Sequence, residues 1–304
     1  MAIAVKILGS NSASFAHNRH HTSQLVQVQD KYVMIDCGEG TQLQCKKYGV
    51  KLSKIDHILI SHLHGDHYYG LIGLLSTMHL YGREKTITLA GPPGLKEIIS
   101  LQLRYSETRL NFDIDFTEWI PDTVQTVLDM PRFTVKTIPL DHRVPCSGYL
   151  IEEKPNKRRI IREVIPQQLP PVHINALKNG EDVYSESGDL LYRNAEVTKP
   201  PLKHYSYAYC SDTRYKPAIL EQVKKVDLMY HEATFMEDMH ERAVNTYHTT
   251  ARQAGTLAKD AEVGQLLIGH FSTRYKELND MLAEAREVFQ STSLAIEGQT
   301  FTVG

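Results

Sequence analysis

No CxxC pair occurs in this sequence. Its four cysteines, Cys37, Cys45, Cys146 and Cys210, are scattered, which argues against both a disulfide framework and a cysteine-based zinc ribbon. Reduced, partly buried thiols are expected instead. An excess of basic charge is also missing. A net charge of -2 and a pI near 6.7 do not announce a nucleic-acid binder, so any contact with phosphate has to come from a local patch. No stretch reaches the roughly 18 apolar residues of a membrane helix. The opening "MAIAVKILGS" lacks a basic segment, a long apolar core and a small-residue cleavage site. A soluble, cytoplasmic enzyme or binding protein with no membrane contact is expected.

The 304 residues, 41% of them hydrophobic, suffice for one large domain or two small ones with a substantial core. Strand and helix patterns alternate along the chain. "AIAVKILGS", "SQLVQVQ" and "KYVMIDCG" are short β-branched or alternating runs closed by Gly, Ser or Asp, as strands are. "EGTQLQCKKYGV" predicts a short helix stopped by Gly49. "IDHILIS" is another strand, and in the segment after it Leu71, Leu74, Leu75 and Met78 share one helical face. "TITLAGPPGLKEIISLQ" and the extended pieces "NFDIDFTEW", "DTVQTVLDM" and "RFTVKTIPL" follow. The last third repeats the scheme: "SYAYCSDT", a helix near 217–224, "KVDLMYHEAT", a helix from about 249 to 260, "QLLIGHFS" and a final helix in "KELNDMLAEAREVF".

Residues 151 to about 204 interrupt this order. They hold "EEKPNKRRIIRE", the proline pairs Pro170-Pro171 and Pro200-Pro201, and a polar stretch around Asn179-Gly180. The segment reads as an inserted arm; a plain surface excursion is the alternative.

"SHLHGDHYYG", residues 61–70, puts His62, His64, Asp66 and His67 into six positions directly after an apolar run. His62 and His64 lie two residues apart after a strand and project to one side. Gly65 permits the sharp turn, and Asp66 and His67 fall in the first turn of the next helix, where a carboxylate is favoured. Imidazole and carboxylate donors without thiolate suit Zn²⁺, with Mn²⁺ or Fe as substitutes. Further donors recur at predicted strand ends: His142 after "VKTIPLD", Asp212 after "YAYCS" and His270 after "QLLIG". His57, His79, His173, His204 and His240 lack that placement and are read as surface or packing residues.

The ordered set "IDCGEGTQ", "SHLHGDHYYGL", "PLDHRVPCSGY", "CSDTRY", "HEAT" and "GHFSTRY" resembles the metallo-β-lactamase superfamily and, within it, the ribonuclease Z family of tRNA 3′-processing endonucleases. The resemblance covers nearly the whole chain. It implies an α/β protein, a four-layer αβ/βα sandwich, with one domain over 1–304 and the arm at 151–204 as a tRNA-binding exosite. It further implies two Zn²⁺ per subunit, precursor tRNA as substrate and a homodimer. Carried over by position, His62, His64 and His142 would hold one metal and Asp66, His67 and His270 the other, with Asp212 bridging. Asp66 would also act as general base, His248 in "YHTTARQAG" would protonate the leaving 3′ oxygen, and Glu232 would orient His248. Arg274 of "HFSTRY" would contact phosphate. Asp36 is either a support behind a ligand or a helix cap. In the N-terminal loop Arg19 and Thr22-Ser23 align with the family pattern, while its proline and lysine are missing.

In the arm, Lys157, Arg158, Arg159 and Arg162 crowd together and would suit sequence-independent contacts to an RNA backbone. The expected activity is removal of the 3′ trailer from precursor tRNA, leaving a 3′-hydroxyl. Alternatives are a small-molecule hydrolase of the same superfamily, thioesterase or lactonase, which would not need "HEAT", "HFSTRY" or a basic arm, and a silent RNA-binding scaffold, which would not need a full donor set.

Overall fold

A computed structural model describes residues 3–166 and 168–304. The chain divides into two compact units, one running up to Glu152 and resuming over Tyr205–Gly304, the other formed by Glu153–His204.

Alternating side chains build the larger unit. Along Lys31–Ile35, Val33 and Ile35 face one cluster and Met34 another; along Ser206–Cys210, Tyr207 and Tyr209 face the first and Ala208 and Cys210 a third. The shared cluster lies between two seven-stranded sheets, joining Ile3, Val5, Ile7 and Leu59 from one to Tyr149, Leu228, Tyr230 and Leu267 from the other. The outer faces are covered by helices. Leu71–Leu80 and Leu95–Tyr105 press Leu74, Leu75, Met78 and Ile99 onto Met34 and Ile58. Ala251–Asp260 and Asn279–Val288 press Leu257, Met281 and Ala285 onto Met229, Leu266 and Ile268. Each fully buried aliphatic side chain contributes roughly 1.5–3 kcal/mol.

Both sheets are mixed. In the first, Lys31–Ile35, Ile55–Leu59, Ile87–Gly91 and Ile114–Glu118 run parallel, while Ile3–Gly9 pairs antiparallel with Ser23–Val28 and with Thr300–Val303. In the second, Ser206–Cys210, Leu228–Glu232, Leu266–Gly269 and Thr292–Leu294 are parallel. Parallel strands deliver their C-terminal ends to one edge, where α/β proteins commonly place their sites.

Strand Ser147–Glu153 runs out of the "PLDHRVPCSGY" motif and across the expected start of the arm. Tyr149 and Ile151 both enter the inner core, and Glu152 pairs with Ser206. The second unit therefore begins at Glu153, two residues after the expected start of the arm. The helix His240–Thr246 was also not anticipated. The helix expected from about 249 starts at Ala251, because Thr250 caps it in a reciprocal box with Gln253.

Residues Glu153–His204 are not an irregular excursion. Pro171–Asn179 is a helix with proline at its start and Gly180 (φ 97°) at its end. Arg159–Ile160 pairs with Thr198–Lys199, and Val183–Tyr184 with Leu190–Tyr192. Leu177, Val183 and Val197 form a small core backed by Ile160, Ile165 and Leu169.

Candidate metal centre

Every donor picked from the sequence sits just past a strand or in the turn that follows one. His62, His64, Asp66 and His67 follow Ile55–Leu59, with Asp66 and His67 in the short helix Gly65–Tyr68. His142 follows Phe133–Pro139, Asp212 follows Ser206–Cys210, Glu232 ends Leu228–Glu232, and His270 follows Leu266–Gly269 in a left-handed backbone conformation.

The fold gathers these side chains into two groups that share Asp212: His62, His64 and His142 with Asp212, and Asp66, His67 and His270 with Asp212. In the first, His64 Nδ1 lies 3.1 Å from both His62 Nε2 and His142 Nε2, and Asp212 Oδ2 lies 3.6 and 3.9 Å from the same two nitrogens. In the second, Asp212 Oδ1 is 3.2 Å from His270 Nε2 and 3.4 Å from His67 Nε2, and Asp66 Oδ2 is 3.3 and 3.5 Å from them. Donors held at zinc–nitrogen distances on a tetrahedron stand roughly 3.3–3.4 Å apart, so this spacing is that of a coordination shell.

Hydrogen bonds behind the donors decide which atom each presents. His67 Nδ1 donates to Asp36 Oδ2 (2.8 Å), and His142 Nδ1 donates to the carbonyl of Tyr247 (3.1 Å). Thr234 Oγ1 donates to Glu232 Oε2 (2.7 Å) and so accepts from His270 Nδ1 (2.8 Å). In each case Nε2 is left facing the other donors, the arrangement in which metal-binding histidines are held. Asp212 Oδ1 is buried and has no hydrogen-bond partner among the described residues. Lone pairs converging in a buried space repel unless a proton or a cation lies among them. Burial keeps His62 well below the usual histidine range and takes His142 down to about 4, so both offer lone pairs at neutral pH. His67 is pulled up against its burial by Asp212, Asp66 and Asp36. The donor set, nitrogen and oxygen without thiolate, fits metal ions.

Asp36 accepts from Ser61 N and Oγ (2.7 and 2.8 Å) and from Tyr209 OH (2.6 Å) as well as from His67. The helix Thr41–Lys47 has Gly40 at its cap and no side-chain cap bond. Asp36 thus supports a donor and caps nothing. A second clamp joins three distant segments beside the first group. Arg214 makes a two-point contact with Asp141 (2.8 and 3.1 Å) and stacks on the Tyr247 ring at 4.1 Å. Tyr247, whose backbone is left-handed (φ 61°), supplies the carbonyl that orients His142.

His248 lies in the same cleft. Its Nδ1 is 3.1 Å from Glu232 Oε1, an oxygen that also accepts from Thr249 N (2.8 Å) and Thr213 N (3.2 Å). Burial lowers the His248 pKa, but the Glu232 carboxylate outweighs it and holds the ring up at about 9. The imidazole is therefore protonated at neutral pH, with Nε2 as its second proton-bearing atom.

The cleft, about 570 Å³, is lined by His64, Asp66, His142, Asp212, His248 and His270. Tyr69, Arg143 and Arg242 also line it, and none of these was picked from the sequence. The signal for Arg143 was adjacency to His142 and that for Tyr69 its place in the motif just after His67; Arg242 had none. Arg274 is exposed and is not among the lining residues. Lys157, Arg158, Arg159 and Arg162 belong to the second unit. Lys157, Arg159 and Arg162 are exposed, and Arg158 is half-buried with Nε donating to Thr198 Oγ1 (2.8 Å). His57 is packed in the interior, and His204 and His240 are exposed.

Two mixed sheets between helical layers, with a His/Asp donor set at one edge, define a metallo-β-lactamase-fold protein. Solved structures carry the same fold: the short form of human tRNase Z (TM-score 0.72, 24% identity, 99% of each chain) and the metallo-β-lactamase-fold protein YhfI from Bacillus subtilis (TM-score 0.70, 18% identity, 99% of this chain and 100% of that one). Among proteins of closer sequence, ribonuclease Z of Cytophaga hutchinsonii is 48% identical over 297 residues (98% of this chain, 95% of the relative), and ribonuclease Z of Bacteroides fragilis is 44% identical over 292 (96% of each). The chain belongs to the ribonuclease Z family. Residues 3–155 also match the family model described as anti-Pycsar protein Apyc1; that match includes the HxHxDH motif and His142 and stops before Asp212, Glu232, His248 and His270.

Proposed function

We infer that this protein is an endoribonuclease that removes the 3′ trailer from precursor tRNA, leaving a 3′-hydroxyl. The observation that carries this reading is the union of two donor groups through Asp212 in one cleft with His248, which the buried Glu232 backs. His62, His64, His142 and Asp212 would hold one Zn²⁺, and Asp66, His67, His270 and Asp212 a second; nitrogen and oxygen donors also admit Mn²⁺ or Fe. Cations held there would supply Lewis acidity toward a phosphodiester and would lower the pKa of the water that serves as nucleophile.

The chain's own groups do the rest. Asp66, buried between the His67 and His270 rings, accepts the proton of the attacking water. His248 delivers its Nε2 proton to the departing 3′ ribose oxygen. Glu232 orients the imidazole and keeps it charged until that step. Arg143 and Arg242 offer cations to the flanking phosphates, and Arg274 is assigned to RNA outside the cleft. Lys157, Arg158, Arg159 and Arg162 make Glu153–His204 a tRNA-gripping arm, and the active form is a homodimer.

Incubating purified protein with a precursor tRNA bearing a 3′ trailer, with and without chelator, and mapping the product ends tests the reading. Cleavage at the trailer junction, abolished by chelator, is expected. Turnover of a thioester with an intact precursor would replace it with the small-molecule hydrolase.

A further inference from the structure

Tyr69 is the exposed aromatic ring of the cleft wall, with 61% of its surface accessible. A solvent-facing ring would ordinarily be mobile. This one lies against the metal-binding motif. Gly65 stands between His64 and Asp66, and a β-carbon there would lie 2.2 Å from Tyr69 Cε2 and 2.5 Å from Cδ2. The ring therefore occupies the space that a side chain at position 65 would need. Tyr68 packs edge-on against it, ring centroids 5.0 Å apart at 65°, and the Tyr69 amide donates to the Gly65 carbonyl at 3.0 Å. One side of the ring is thus set on backbone beside two metal-binding residues, and the accessible side remains toward the cleft.

Two guanidinium groups share that cleft. Arg143 and Arg242 are exposed, and no hydrogen-bonded or ion-paired acidic partner for either occurs among the described residues. A pocket that presents cations and a preoriented flat ring matches the two halves of an unpaired nucleotide, its phosphate and its base. Because the ring already rests on Gly65 and Tyr68, less side-chain freedom remains to be lost when a base settles on it.

We propose that Tyr69 is the stacking platform for an unpaired nucleobase adjoining the scissile phosphate. The proposal rests on the ribonuclease reading and adds a specificity-determining residue to it. Stacking uses the π-face alone, so base identity matters little and base presence matters greatly.

The test uses the full-length, metal-loaded protein and a precursor tRNA carrying one abasic nucleotide, placed on each side of the cut in turn. In the wild type one of the two positions raises KM by roughly 5- to 100-fold. Tyr69→Phe behaves as wild type. Tyr69→Ala and Tyr69→Leu raise KM on the intact precursor by a similar factor, with kcat little changed and metal content unaltered, and lose nothing further on the abasic substrate. Unchanged KM in Tyr69→Ala and Tyr69→Leu, or abasic and tyrosine effects that multiply independently, overturns the platform while ribonuclease activity stands. Should Tyr69→Ala fail to fold, the wild-type abasic pair and Tyr69→Leu still decide. A wild type that leaves the intact precursor uncut removes the ribonuclease reading and the platform together.

Discussion

The cleft and the unit Glu153–His204 are built in opposite ways. At the cleft, Asp36 and Glu232 are buried and committed, Asp36 accepting from Ser61, Tyr209 and His67 and Glu232 from Thr213, Thr234 and Thr249; beside it the half-exposed Arg214 holds Asp141 and Tyr247 together. In the other unit Leu177, Val183 and Val197 form the buried core, and three of its four clustered basic side chains are exposed. Chemistry at fixed distances needs a shell that cannot relax. Contacts to a polyanion need only exposed charge, which is what the proposed role of Lys157, Arg158, Arg159 and Arg162 asks of the other unit.

The largest effect should come from the shared donor. Asp212→Ala is expected to lower metal content in elemental analysis from about two ions per subunit to one or none. Its activity loss should exceed the roughly 10- to 100-fold that changes behind a ligand cost. Retention of two metals would show that Asp212 is not the donor the two groups share.

Next comes proton transfer. His248→Ala should keep both metals and the fold yet slow cleavage by roughly 10² to 10⁴. The sign of the pH dependence follows from Glu232. Burial alone would lower the His248 pKa, and the carboxylate raises it to about 9, so the acid form is present at neutral pH and is lost as pH rises. Glu232→Gln should lower that pKa and move the alkaline limb of kcat to lower pH. An unmoved limb would detach Glu232 from His248.

Smaller losses are expected one layer out. Asp36→Asn and Arg214→Lys should each weaken metal affinity about 10- to 100-fold in a chelator titration. The lysine retains the charge but not the two-point contact with Asp141 or the flat stack on Tyr247. Wild-type affinity in Arg214→Lys would show that the Tyr247 carbonyl is set without the clamp.

The arm should give the mildest change in chemistry. Neutralising Lys157, Arg158, Arg159 and Arg162 together should weaken precursor tRNA binding and flatten its dependence on salt by up to about four units of slope. Hydrolysis of a small activated phosphodiester should barely change. Parallel loss on both substrates would mean that the unit supports the cleft; loss on neither would leave the basic cluster a solvated surface.

What local pattern determined is plain at the donors. A strand followed by His-x-His-x-Asp-His can place His62, His64, Asp66 and His67 only at one strand end, and alternating Val33, Met34 and Ile35 declare a strand with two buried faces. A break in that alternation was legible near residue 151, though the start of a separate compact unit at Glu153 was not, because Ile151 and Glu152 continue a sheet whose partner strand lies more than 50 residues on. Tertiary structure alone decided the supports. Tyr209 reaches Asp36 across 173 positions, and Tyr247 reaches His142 across 105; a hydroxyl or a carbonyl can serve any donor, so no spacing announces such pairs. The same holds for the cleft wall. Arg274 stood in a recognisable motif yet is exposed away from the lining, while Tyr69, Arg143 and Arg242 came to the cleft. Metal binding demands particular atoms at short range and leaves a mark in sequence, whereas orientation and substrate contact depend on which surfaces the packed sheets bring together.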